Sequence, residues 1–350
     1  MPPLSLFERR MAPFIAVQAA MGALGGFAGV FVMADAGAAA VARYAALMLG
    51  VAGAATVASY AWGRRWPQAV GTWVRLGFLL PAVMLAWAAM APAHGPLLLA
   101  LAFGSFLGLT WGARHWLELQ VLRDDERDGY AAHAIALAVA MALLATLAAS
   151  AMLSLGGERR EPVLVLFAAL GVAGALWVPG RLPPAPPMRL EAPMQVLRQP
   201  GYRACLPLFF LESGLLGVGL VLGATGAVRA LGVASHYGWA ASTATLAGAL
   251  ALVAARRHRH HANREGWMRR AAAGMVLAAA LLGGSTAWPA LFVLHLLVHS
   301  SVQPFWQASE HVLNLRVMDL HGTVGDRIVA REGSLAVMRL LTLGLFWALS

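Results

Sequence analysis

Residues 181–202 read RLPPAPPMRLEAPMQVLRQPGY. Six prolines in this stretch forbid a regular helix, because each lacks an N–H and crowds the carbonyl four residues before it. The stretch is also too polar to cross a bilayer. It reads as a linker, and it divides the chain into an N-terminal part, 1–180, and a C-terminal part, 203–350.

On both sides of the linker the sequence turns strongly apolar. Of 350 residues, 60% are hydrophobic and only 12% are charged, against about 25% charged in a typical soluble domain. The mean hydropathy is +0.68. Apolar residues gather in runs of roughly 17–25, the length a helix needs to cross a hydrocarbon core. Eleven such spans are expected, at about 12–33, 39–62, 72–90, 96–116, 131–155, 162–180, 203–225, 236–255, 270–286, 288–312 and 333–350. Six precede the linker and five follow it. The expected fold class is therefore an all-α membrane protein of two pseudo-symmetric helical bundles. Trp62, Trp66, Trp73 and Trp288 fall at run ends, where amphipathic rings favour the membrane interface.

Every basic residue is arginine, and the formal charge is +10. These arginines cluster in the short segments between apolar runs, so positive-inside anchoring accounts for them and nucleic-acid binding does not. With the N-terminus in the cytoplasm, Arg64, Arg65, Arg75, Arg114, Arg123 and Arg127 lie inside, as do the linker arginines. So do those of the 256–270 loop and Arg316, Arg327 and Arg331, while Arg159, Arg160 and Arg229 lie outside. The single cysteine, Cys205, excludes an intramolecular disulfide.

The two parts share weak internal similarity. Span four ends Trp111-Gly112-Ala113-Arg114-His115, and span ten carries Trp306-Gln307-Ala308 followed by Glu310-His311. Each leads into a charged loop, DDERDGY at 124–130 and GDRIVAREG at 325–333. Span two ends Gly63-Arg64-Arg65 and span eight ends Ala255-Arg256-Arg257. The offset is six helices, as in transporters built from repeats.

Six spans, a long cytoplasmic linker and a second set with matching basic loops resemble the major facilitator superfamily (MFS). The likeness covers most of the chain in architecture and little of it in motif. Gly63-Arg64-Arg65 matches the end of the family's loop between spans two and three, but Tyr60 stands where that motif has Asp, and Thr56 where it has Gly. Asp125-Glu126-Arg127, and Asp326-Arg327 with Arg331-Glu332, echo its charged loops after spans four and ten. Span five lacks the Gly-Pro signature of the drug antiporters, and the chain ends after an eleventh span where the family has twelve. The resemblance implies alternating access, with spans one, four, seven and ten lining a central site.

Ionisable groups inside apolar runs are costly and point to cavities or partners. His295, His299, Gln303, Gln307 and His311 recur every four residues along span ten, a slowly drifting stripe that lipid would not tolerate. They are the expected substrate pathway, with interhelical packing as the plainer alternative. Glu212, in span seven, is a coupling acid or the partner of an arginine such as Arg339 or Arg43. Arg114 and Glu118, four apart, are expected to pair as a gate or loop anchor, with His115 and His133 near the same surface. Arg64, Arg65, Asp326 and Arg327 complete the expected gating and loop charges.

No phosphate loop, nucleophile elbow or paired catalytic carboxylates occur, so no enzyme is expected, and no cofactor or metal. The expected function is a secondary transporter moving a small-molecule solute across the inner (cytoplasmic) membrane as a monomer, with protons among the candidate coupling ions. Its other partner is the lipid bilayer. The alternative is a non-transporting scaffold or assembly factor derived from the same architecture.

Overall fold

The computed structural model describes residues 4–123, 126–255, 264–317 and 320–350, and leaves aside the side chains of 212, 255, 264, 265, 308, 309 and 313–317. Its first helix, α1 (Leu6–Arg65), has 60 residues and is interrupted at Gly37, at φ +77° and ψ −178°. Glycine reaches that backbone region without the clash a Cβ would cause. The two limbs run in opposite directions, as their contacts with α3 (Gly95–Val121) show. Gly104, Gly108 and Gly112 meet Met48, Ala52 and Thr56 of the second limb in step, so those helices are parallel. Gly25 meets Phe103 and Gln18 meets Thr110 in reverse order, so the first limb is antiparallel to α3. The limbs are the first and second expected spans.

The N-terminal bundle is completed by α2 (Val70–Met90), α4 (Arg127–Leu155) and α5 (Glu161–Trp177). Both limbs of α1 pack on α3, and α5 packs on the outside against α2. Small residues let backbones approach. A Cβ at Gly108, for instance, would overlap the Ala52 carbonyl. The polar groups of this bundle bond inside it. Thr56 donates to the Gly108 carbonyl at 2.9 Å and Tyr60 to the Gly112 carbonyl at 2.8 Å.

After the linker, with its short helix α6 (Pro193–Leu197), come α7 (Pro200–Ser213) and α8 (Leu216–Leu231), which share one span. The break between them frees the Gly214 carbonyl, and Thr342 donates to it at 2.6 Å. Sequence reading expects a continuous span here. Then follow α9 (Ala234–Ala255), α10 (Arg264–Gly284), α11 (Leu291–Val317) and α12 (Val324–Leu349). Helix α11 sits between α9 and α10. Pro304 has no N–H for the Ser300 carbonyl four residues back, and that carbonyl abuts Gly248 of α9, where a Cβ would overlap it.

Among the described residues, eleven helical segments stand where the eleven spans are expected: two in α1, one shared by α7 and α8, and one each in the eight remaining long helices. Among the described residues, seven helical stretches are long and apolar enough to cross a membrane, α1 counted once. α5, α10 and α11 are not among them: α5 is apolar but only 17 residues long, and α11 carries the polar stripe. The protein is a multi-pass helical membrane protein. The bundles meet along α1 with α8 and α12, and along α4 with α9 and α11.

Candidate functional site: a buried ionic network between the bundles

The last turns of α3 carry Arg114, His115 and Glu118, all buried. A carboxylate in this place requires partners, and Glu118 has four around it. Arg114 Nε donates to Glu118 Oε1 at 2.7 Å, the expected i, i+4 pair. Tyr130, at the start of α4, donates its hydroxyl to the same oxygen at 2.7 Å. The other oxygen lies 3.4 Å from His115 Nδ1 and 3.3 Å from His311 Nε2. His311 comes from α11, so Glu118 joins the N-terminal bundle to the C-terminal one.

The network continues inward along the first limb of α1. Arg114 Nη1 donates to Gln18 Oε1 at 3.2 Å, and Gln18 Nε2 donates to Thr110 Oγ1 at 3.1 Å. Trp111 lies under the Arg114 guanidinium, 4.8 Å from ring centroid to carbon. His115 and His311 stack, with ring centroids 6.0 Å apart. These are the two segments that internal similarity pairs, and they meet across the seam between the bundles. Glu310 is buried beside His311. At the start of α12, Arg331 is buried and pairs with Glu332.

The span-ten stripe does not keep one neighbour along its length. Each step of four residues turns about 40° around a helix of 3.6 residues per turn, so five members span about 160°. His295 accordingly reaches α10, its Nδ1 2.7 Å from the Ala278 carbonyl. Its ring is 5.4 Å from that of His299. His299 and Gln303 are half-buried and Gln307 is exposed. Only His311, at the far end, contacts the N-terminal bundle through the ionic network.

The remaining expected residues fall into other settings. Glu212 belongs to α7, but its side chain lies outside the described residues. Its neighbour Ser213 accepts from the Arg339 guanidinium. Arg64 and Arg65 are exposed at the end of α1. Arg64 edges a surface hollow of about 280 Å³ shared with Arg189 and Glu191 of the linker. Asp326 is buried and accepts from linker backbone, while Arg327 is half-buried beside it in α12. His133 bonds Glu8 at 2.7 Å, tying α4 to the start of α1. The basic segment 256–263 and Asp125 lie outside the described residues. Sequence reading does not single out Gln18, Thr110 or Tyr130. The one visible signal is an amide alone in the first apolar run.

Two helical bundles meeting along six helices, with a buried carboxylate facing a histidine across the seam, define a class of two-bundle membrane protein with known members. The chain is similar to the human organic anion transporter MFSD10 (TETRAN), with a TM-score of 0.63 at 16% identity, covering 99% of this chain and 95% of that one. It is similar to a bacterial homologue of the iron transporter ferroportin in an outward-facing state, with a TM-score of 0.60 at 14% identity, covering 98% and 91%. The nucleoside transporter NupG aligns with a TM-score of 0.58 at 13% identity, covering 97% and 89%. At these identities the likeness is one of fold: the chain has the major facilitator fold. No protein-family model and no curated protein sequence matches it.

Proposed function

We propose that this protein is a secondary transporter that carries a small solute across the cytoplasmic membrane by alternating access. The observation that carries the reading is the Glu118–His311 contact. A charged group buried between two bundles costs desolvation, and apolar packing in its place is often neutral or better for stability. Such a contact makes sense at a seam that opens, because solvated charges re-form hydrogen bonds with water when the bundles part. Gln18, Arg114 and His311 come from the first limb of α1, α3 and α11, the equivalents of spans one, four and ten, which the resemblance implies line the pathway. In this reading the linker side faces the cytoplasm, and Arg114, Glu118, Tyr130 and His311 form the gate on that side. The solute contacts are His299, Gln303 and Gln307 above it. His and Gln, with few unpaired charges, suit a polar solute of little net charge.

The test is uptake by purified protein in liposomes against a panel of polar solutes, nucleosides and organic anions included. Uptake is expected for at least one class. Gln303→Ala and His299→Ala should each weaken its apparent affinity about two- to tenfold, as loss of one hydrogen bond of ordinary net strength does. No uptake of any solute, with both variants indistinguishable from the parent in cells, would leave the scaffold reading in its place.

A further inference from the structure

The linker is held by both bundles, with no slack between the two holds. On the N-terminal side, Trp116 Nε1 donates to the Pro186 carbonyl at 2.9 Å, and the Met188 side chain is fully buried. The Met188 carbonyl presses on Gly63 at the end of α1, where a Cβ would overlap it. From the next residue onward the backbone is gripped by the other bundle, while Arg189 and Glu191 still line a hollow with Gly63 and Arg64. The Arg189 carbonyl presses on Gly325 at the start of α12, again where a Cβ would overlap. Asp326 Oδ1 accepts from the Glu191 and Ala192 backbone N–H groups at 2.9 and 2.8 Å. Thr323 donates to the other carboxylate oxygen at 2.7 Å and holds it in place. Val196 then packs with Tyr202, Phe209, Ala330 and Leu335.

The handover falls between residues 188 and 189, one peptide link with Cα atoms about 3.8 Å apart. If the ends of α1 and α12 part by more than a few ångströms, one hold must break. The two are unequal. The C-terminal hold has two hydrogen bonds to a carboxylate, roughly twice as strong as neutral ones, and an apolar cluster. The N-terminal hold has one neutral hydrogen bond and one buried side chain.

We propose that the linker is a clasp on this face of the protein. Residues 189–196 travel with the C-terminal bundle, and opening peels residues 186–188 away from Trp116 and Gly63. The proposal rests on the transport reading only for the motion that opens the face.

Single cysteines in a Cys205→Ser background, treated with a charged, membrane-impermeant maleimide in inside-out vesicles, test it. Met188→Cys should react and Val196→Cys should stay protected. Gly63→Ala should raise the rate at 188 several-fold and leave 196 unchanged. Trp116→Phe keeps the ring position but removes the donor, so it guards against misfolding of the glycine variant. It should raise the rate at 188 about two- to tenfold, the worth of one hydrogen bond. Equal labelling at 188 and 196, or a rate at 188 that neither Gly63→Ala nor Trp116→Phe changes, overturns the clasp. Gln18→Cys, deeper in the seam, reports separately whether the pathway opens. If it reacts while Met188→Cys stays protected, alternating access stands and the clasp falls.

Discussion

The bundles close on each other at two ends, and the two closures are made of different chemistry. On the linker side the contact is polar and centred on a buried carboxylate, with Glu118 facing His311 and Arg114 behind it. On the opposite side it is made mainly of small and aromatic side chains. Gly29 lies against Ala224, Thr225 against Met33, and Phe27 edge-on to Tyr237 with ring centroids 5.5 Å apart. Beside these, Gly238 lets α9 close on Ser150 of α4, and Glu158 accepts from the Ser235 N–H at the start of α9 at 3.0 Å. An ionic closure exchanges its bonds for water when it opens. A close-packed one loses dispersion contacts that water does not replace. The difference makes the linker side the one whose strength rests on the polar network around Glu118, and the other side the one whose strength rests mainly on fit.

The largest expected effect comes from removing the centre of the ionic closure. Glu118→Ala leaves the Arg114 guanidinium buried without its carboxylate. Breaking a buried pair in this way costs about 3–5 kcal/mol. Glu118→Gln retains the acceptor for Tyr130 and should lose less. Unfolding in mixed detergent micelles reads both. Wild-type stability in the alanine variant would mean that the network is not holding the bundles, and the comparison between the two ends would lose its ionic half.

The apolar closure is tested by overfilling it. A Cβ at Gly238 would overlap Ser150 Oγ and stand 2.8 Å from Phe27 Cζ. Gly238→Ala should cost about 1–3 kcal/mol, the range for forcing extra volume into a packed site. It should also leave maleimide access from the linker side unchanged. If that access rises as much as it does in Glu118→Ala, the two closures are not independent.

Much of the fold is legible in the sequence, and the reasons are local. Run length places the spans, including the gap at 34–38 that the structure fills with the Gly37 reversal. The prolines of 181–202 mark the linker, although nothing in them shows that its backbone is gripped between Gly63 and Gly325. The break at Ser213–Leu215 is hidden because Gly214 is compatible with either a helix or a turn inside an apolar run. At the site, the i, i+4 spacing of Arg114 and Glu118 is readable and the structure forms that pair. His311 is found as polar, but its partner lies 193 positions earlier in the chain, a separation that no periodicity encodes. Gln18 and Tyr130 are missed for the same reason: each is a single polar residue whose meaning is a contact across the fold.

The smallest effect is also the cleanest contrast, because the same atom is deleted at each end. Tyr130 is buried and Tyr237 half-buried, one at each closure. The Tyr130 hydroxyl donates to Glu118 at 2.7 Å; at Tyr237 the ring, set edge-on to Phe27, is the contact that matters. Tyr130→Phe should cost about 0.6 kcal/mol and at most about 1.7, the measured span for hydrogen bonds between membrane helices. Tyr237→Phe keeps the ring contact, and it should fall within about 0.5 kcal/mol of the parent, as substitutions that break no named interaction do. Equal costs at the two positions would show that the hydroxyls do not distinguish the two ends. A larger cost at Tyr237 would reverse the assignment and place the polar closure on the side away from the linker.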